Sequence, residues 1–305
     1  MSVRAAIDVG SNSVKLLVLD FARDGSYRVL ADRAVVTGLG RGLGEGGQLD
    51  PAGVRETLDC LAVFVLDAFA LGADEIRAAG TSALRRATDA ASFIAQASEE
   101  LGLRIVVISG EEEARLARAV ALRELPPGSP DVVFFDVGGG STELTMCHDA
   151  AVTAARSLEL GARRCTEAAA VTHPVDQASC DRLSDLIRLA LAAAPLPADG
   201  EGAKPPQLAG LGGTASEVVW ILRGQRGEPR GDPHLAQVTR AETAGLLDLL
   251  GELTLPQLQA LPNADPKRSA VMYAGCAIIL ELLRLYGARQ FTLVDRGLRW
   301  GLLLG

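Results

Sequence analysis

The segment Ile7-Asp8-Val9-Gly10-Ser11-Asn12-Ser13 returns as Phe135-Asp136-Val137-Gly138-Gly139-Gly140-Ser141. This internal echo constrains the fold more than any other feature of the chain. The spacing is constant, because 136 − 8, 138 − 10 and 141 − 13 all give 128. In both copies an apolar run ends in Asp-Val-Gly, turns, and resumes as a second apolar or alternating run, Val14 to Leu19 and Thr142 to Met146. That is the pattern of two strands joined by a tight turn. One unit used twice in 305 residues predicts two domains, each large enough to bury its own core.

Between the copies the pattern alternates. A strand near Arg33 to Val36 leads through a glycine-rich loop to a helix with Asp50 as N-cap and Pro51 at N1. Val54, Leu58, Leu61, Val65 and Phe69 are its expected buried stripe. Strand Glu75 to Ala79, helix Asp89 to Leu101, strand Arg104 to Ile108 and helix Glu111 to Glu124 follow, which predicts an α/β lobe. Pro126-Pro127-Gly128-Ser129-Pro130 breaks the chain before the second copy, so domains of 1–125 and 131–305 are expected. Helices are expected near Asp176 to Ala194, Thr214 to Arg223, Thr239 to Glu252 and Ser269 to Tyr286. Thr239 and Glu242 fit a capping box for the third of these.

A turn of small residues after a strand lets backbone N–H groups approach phosphate oxygens, and an aspartate at its start suits a magnesium ion. An isolated Asp-x-Gly is equally well a tight hairpin, but a paired copy at a fixed offset points to phosphate binding. A third loop, Gly210-Leu211-Gly212-Gly213-Thr214-Ala215-Ser216, follows strand Gln207 to Ala209 and opens a helix. Its amides suit a further anion, with a plain glycine turn as the alternative.

The triplet Glu111-Glu112-Glu113 lies in the first turn of a helix, where acids serve the macrodipole. With Ser109 as N-cap, Glu112 completes a capping box and Glu111 stands four residues before Arg115 as an exposed ion pair. Glu113 shares its face with Leu116, Ala117 and Val120 and is expected to point inward. A partly buried carboxylate is the better acceptor of a proton from water, which makes Glu113 the candidate general base. Arg85 and Arg86 follow a strand and suit either a phosphate clamp or an ordinary surface.

Other chemistries drop out. Gly42-x-Gly44-x-x-Gly47 fits a dinucleotide fingerprint, but its last glycine runs into Gln48-Leu49-Asp50-Pro51 and opens no helix. The chain has no Gly-x-x-x-x-Gly-Lys-Ser/Thr and no Gly-x-Ser-x-Gly, and its three histidines are scattered. A net charge of −8 argues against duplex nucleic acid as a partner. Five scattered cysteines and the lack of a long apolar run predict a cytoplasmic protein with no membrane partner.

The blocks Ala6 to Ser13, Gly80-Thr81 to Arg85, Ile108-Ser109-Gly110 to Ala114 and Asp136 to Glu143 resemble the exopolyphosphatase and guanosine pentaphosphate phosphatase family. Leu160-Gly161-Ala162, Gly210 to Ser216 and Asp295 to Gly301 continue the resemblance in family order. It implies two duplicated ribonuclease-H-like lobes of the actin, Hsp70 and sugar-kinase superfold with an interdomain cleft, the last helix packing back on the first lobe. No C-terminal HD-type domain is expected.

The implied activity is removal of a terminal phosphate from polyphosphate, or alternatively from guanosine pentaphosphate to give the tetraphosphate. The family's catalytic glutamate falls on Glu113 and its arginine on Arg85. The phosphate contacts fall on Ser11, Asn12, Ser13, Gly138, Gly139, Gly140, Ser141, Thr142, Gly212, Gly213, Thr214 and Arg268. Asp8, Asp136 and Glu143 match acidic positions for Mg2+, or Mn2+ in its place. Oligomeric state is left open, with a homodimer among the expectations.

Overall fold

The computed structural model describes residues 2–43, 47–126, 131–149, 151–192, 194 and 205–305. It divides into two compact α/β units, one of Met1–Arg123 with Arg296–Gly305 and one of Glu124–Asp295. Residues 127–130, where the sequence places its proline-rich boundary, lie outside the described residues.

In the first unit β1 (Ser2–Val9) and β2 (Ser13–Phe21) form the expected hairpin, with Val9 opposite Val14. Strand β3 (Tyr27–Val36) pairs with β2 over nine residue pairs and starts well before the expected Arg33. Helix α1 (Pro51–Ala70) opens as its sequence dictates, the Gly53 N–H donating to the Asp50 carboxylate at 3.0 Å with Pro51 in the first turn. Strand β4 (Ala73–Gly80) lies parallel to β1. The single turn α2 (Ser82–Arg86), α3 (Ala90–Leu101), β5 (Ile105–Val107) and α4 (Gly110–Glu124) complete the run, giving the sheet order β3-β2-β1-β4-β5.

Strand alternation sends Ile7, Val9, Leu16 and Val18 to the face covered by α1 and α3, against Leu58, Leu61, Phe64 and Phe93. Ala6, Leu17 and Leu19 face the other way, onto Val120 of α4 and Trp300 and Leu303 of the C-terminal helix Leu298–Leu304. The α1 stripe departs from expectation at its end. Phe69 lies about 80° round the helix from Leu61 and is 58% exposed, while Phe64 is buried in its place.

The second unit repeats the opening move. Strands β6 (Asp131–Val137), β7 (Thr142–His148) and β8 (Ala151–Leu158) form an antiparallel meander, followed by α5 (Ala162–Ala168) and α6 (Gln177–Leu191). Strand β9 (Gln207–Leu211) runs parallel to β6 and leads directly into α7 (Gly212–Gln225). Then come β10 (Gln237–Thr239), α8 (Arg240–Glu252), α9 (Leu255–Gln259), α10 (Ser269–Leu285) and β11 (Gln290–Leu293). The sheet order is β10-β11-β9-β6-β7-β8. The capping box of α8 is made in both directions, Glu242 N–H to Thr239 Oγ1 at 3.1 Å and Thr239 N–H to Glu242 Oε2 at 2.8 Å. Among the described residues no helix is long and apolar enough to cross a membrane.

Candidate active site

The echo is realised as one turn built twice. In the first copy the Gly10 N–H donates to Ser13 O at 3.1 Å; in the second the Gly138 N–H donates to Ser141 O at 2.9 Å. A Cβ at Gly10 would lie 2.8 Å from Ser13 O, so the turn closes this tightly only on glycine.

Different segments brace the two turns. Asn12 O accepts the N–H groups of Thr37 and Gly38 at 3.0 Å each, and Ser11 O accepts that of Gly40 at 2.7 Å. The residues that brace the first loop, Thr37 to Gly40, directly precede the Gly42-x-Gly44-x-x-Gly47 stretch that fails as a dinucleotide fingerprint. Its Gly44 lies outside the described residues. The Asn12 side chain is left exposed, with Ser11 and Ser13 partly so.

In the second copy the Ala162 N–H donates to Gly138 O at 2.9 Å and the Arg164 N–H to Gly139 O at 3.0 Å. Gly161 packs so closely on Gly139 and Gly140 that a Cβ there would overlap their backbone. Thr142 and Thr214, both buried, donate their hydroxyls to Leu160 O and to Val137 O. Their side chains therefore stiffen the loop, and what they can offer an anion is a backbone N–H. The Ser141 hydroxyl donates to Glu143 Oε1 at 2.7 Å, and Ser157 donates to the same oxygen at 3.1 Å.

The third loop joins the second within the same unit. Gly212, with φ of +73°, sits against the Asp136 carboxylate, where a Cβ would meet its Cγ at 2.7 Å. A Cβ on Gly213 would meet the Arg268 guanidinium carbon at 2.7 Å. Asp136, Gly212, Gly213 and Arg268 are thus brought together, although 132 residues separate Asp136 from Arg268 (268 − 136).

In the first unit Arg85 and Glu113 meet. Arg85 Nη1 donates to Glu113 Oε2 at 3.0 Å and to Ile108 O at 2.9 Å, so α2, β5 and α4 converge on one ion pair. The glutamate triplet sorts differently from its sequence reading. The Glu112 N–H does donate to Ser109 Oγ at 3.1 Å, but it is Glu112, not Glu111, that pairs with Arg115, at 2.8 Å. On a helix Glu112 and Arg115 stand at i and i+3, an equally good spacing. Glu113 is less enclosed than its apolar neighbours suggest, its side chain staying 36% exposed because the pairing draws it toward Arg85.

Asp8, at the end of β1, carries the raised carboxyl pKa of this unit. Burial is the main cause and the charge of Glu113 adds to it, while Lys15 and Arg299 oppose it. Lys15 stands directly opposite Asp8 across the hairpin; in the second copy Glu143 stands opposite Asp136. Sequence reading missed Lys15, though the 128-residue offset that found the loops also aligns it with Glu143.

No group of three or more potential metal-ligating side chains occurs among the described residues. The donor set instead suits a hard cation held by one or two carboxylates, with phosphate oxygens and water completing its shell. Two carboxylates facing each other across an antiparallel pair repel, and a divalent cation relieves that repulsion. Asp136 and Glu143 meet this description, with Asp8 as a single partly buried carboxylate.

The chain matches the model of the Ppx/GppA phosphatase family over residues 18–305. It belongs to this family. It is 29% identical over 289 residues to exopolyphosphatase 2 of Mycobacterium tuberculosis, covering 92% of this chain and 89% of that protein. It is 30% identical over 312 residues to the guanosine-5'-triphosphate,3'-diphosphate pyrophosphatase of Aeromonas hydrophila, covering 99% of this chain but 58% of that longer protein. The Ppx/GppA phosphatase of Aquifex aeolicus superposes with a TM-score of 0.84 at 27% identity, covering 99% and 98% of the two chains. As a member of this family the chain is a phosphoanhydride hydrolase of the actin-like, two-lobed α/β fold.

Proposed function

We propose that this protein removes the terminal phosphate of inorganic polyphosphate, with guanosine pentaphosphate as the alternative substrate. The reading rests above all on the twice-built turn, closed in each copy by a glycine N–H to a serine carbonyl, whose exposed tips at Asn12 and at Gly139-Gly140 suit a chain of phosphates. Polyphosphate is placed first because the likeness to the polyphosphatase runs over 89% of that relative.

In the proposed reaction the loops at Ser11–Ser13, Gly138–Thr142 and Gly212–Thr214 bind phosphate oxygens, and Arg268 adds charge beside Gly213. Glu113 takes a proton from water, whose oxygen bonds to the terminal phosphorus as the bridging P–O bond breaks. The products are orthophosphate and a chain one phosphate shorter. Arg85 holds Glu113 and, with the donors that Ile108 and Glu113 leave unused, stabilises charge on the transferred group.

Asp8 in the first unit, or Asp136 or Glu143 in the second, would hold a divalent cation, Mg2+ or Mn2+, which when bound neutralises phosphate charge. The protein is proposed to act in the cytoplasm; its five cysteines, none of them in a disulfide and four of them buried, suit a reducing compartment.

The deciding experiment measures phosphate release from polyphosphate and from guanosine pentaphosphate by the wild type and Glu113→Gln. Release lost in the variant while substrate still binds is the expected result. Unchanged turnover refutes Glu113 as base, and faster release from guanosine pentaphosphate reverses the order of substrates.

A further inference from the structure

Among the described residues Glu217 is the one acid counted as buried, 1% exposed in the interior of α7. Burial without a full partner is expensive for a carboxyl group. Its Oε2 has no hydrogen bond, and the nearest cationic nitrogen, Arg230 Nη2, is 3.8 Å away. Burial accordingly raises its pKa, partly offset by the Asp265 N–H and by the charges of Arg230 and Arg268. A leucine would fill this helix position at less cost, so the acid needs a reason.

The other oxygen supplies it. Glu217 Oε1 accepts the Asp265 N–H at 2.5 Å, across 48 residues of chain. Asp265 in turn organises the turn that enters α10. Its carbonyl accepts the Arg268 N–H at 2.9 Å and the Ser269 hydroxyl at 3.3 Å, and its carboxylate accepts the Lys267 N–H at 3.0 Å. Asp265 Oδ2 also lies 4.0 Å from Arg268 Nε. The guanidinium held this way covers Gly213, at the first turn of the helix on which Glu217 itself sits. Glu217, the Asp265 turn, Arg268 and Gly213 therefore close a ring that starts and ends on α7.

We propose that Glu217 is a positioning residue for phosphate binding, fixing the Asp265 turn so that Arg268 stays over the glycine start of α7. This rests on the reading of Arg268 and Gly213 as phosphate contacts. A side chain that sets where an arginine waits changes how tightly the anion is held, and the chemical step, carried out by other residues, keeps its rate.

The test measures steady-state phosphate release by the full chain on polyphosphate and on guanosine pentaphosphate, with thermal unfolding in parallel. Arg268→Ala is expected to raise KM roughly tenfold or more, the loss of one charge-assisted contact. Glu217→Met, similar in size but without an acceptor, is expected to raise KM to a similar degree with kcat within about twofold. Glu217→Gln keeps an oxygen for the Asp265 N–H and is expected to restore the wild-type KM. The double variant Glu217→Met with Arg268→Ala is expected to be no worse than Arg268→Ala, because both changes remove one interaction.

Glu242→Ala, which breaks the capping box of α8, serves as the structural control and is expected to lower Tm with KM unchanged. A wild-type KM in Glu217→Met beside a raised KM in Arg268→Ala overturns the role of Glu217. A wild-type KM in Arg268→Ala overturns the phosphate reading on which that role stands. Should Glu217→Met fail to fold, a raised KM in Glu217→Gln overturns the proposal and a wild-type KM supports it.

Discussion

Gly161→Ala should damage phosphate release far more than it damages the fold. A Cβ at Gly161 would stand 2.5 Å from the Gly139 carbonyl carbon and closer still to Gly140, whereas ordinary contact begins near 3.4 Å. The loop must therefore retreat by about 1 Å, since the atoms in the way are backbone and no rotamer change relieves them. Nor can α5 move off alone, because the Ala162 and Arg164 N–H groups bind Gly138 O and Gly139 O at 2.9 and 3.0 Å.

Overpacking of this kind costs about 1–3 kcal/mol, a Tm loss of roughly 3–9 °C for a domain of this size. A misplacement of about 1 Å at a reacting centre costs on the order of a hundredfold in rate. Phosphate release by Gly161→Ala, measured at a temperature where circular dichroism shows it folded, is expected to fall by about that factor in kcat/KM. The reasoning is refuted if kcat/KM stays within about twofold of wild type while Tm falls, for the loop would then be incidental to turnover.

Glu113→Gln is expected to lower kcat by about 10²–10⁴-fold, the worth of a general base, with affinity for a phosphate chain measured calorimetrically preserved; an equal loss of affinity would contradict that role. Asp8 has a raised pKa in the folded state, so the folded chain holds that proton more tightly than the unfolded chain, which releases it near 3.8. Stability is then lost as pH rises from that value through the folded pKa, and it is not regained above it. Asp8→Asn is accordingly expected to raise Tm at pH 7 and to flatten this part of the Tm profile; a lower Tm at pH 7 would contradict the burial argument. Gly245→Ala, in the interior of α8 with open space around its Cβ, is expected to stabilise by about 0.5–1 kcal/mol and to leave phosphate release unchanged.

Much of this was legible because it is local. The Asp-Val-Gly turns, the Asp50 cap and the Thr239–Glu242 box are each written within a few consecutive residues, and each forms where the sequence places it. Contacts that depend on distant chain were not legible. Nothing in Thr142 or Thr214 announces that each hydroxyl will satisfy a buried carbonyl, and helical periodicity cannot foresee that Arg85 draws Glu113 off the apolar face. The end of α1 shows the same limit. Phe69 fits a periodic stripe on paper, but the buried face of α1 is set by the sheet beneath it and runs through Phe64 and Ala68. Gly161 could be noticed as part of a short motif, yet its reason is a close approach to Gly139 and Gly140 that only the fold reveals.

The repeat carries one lesson that neither copy shows alone. A glycine N–H bonded back to a serine carbonyl fixes the same turn in both units, so the backbone donors offered to an anion are the same. The charges around those donors are opposite. Across the first hairpin Asp8 faces Lys15, which lowers the cost of its negative charge; across the second Asp136 faces Glu143. Two serine hydroxyls donate to Glu143, which eases its charge without cancelling it. A polyanion approaching the first turn meets a cation supplied by the chain. At the second turn positive charge can come from Arg268, over Gly213, from Arg163, whose side chain a Cβ at Gly139 would meet at 3.9 Å, or from a divalent cation taken from solution. One backbone device is thus used with opposite electrostatics, and the acidic copy is the one whose phosphate binding should depend on added metal.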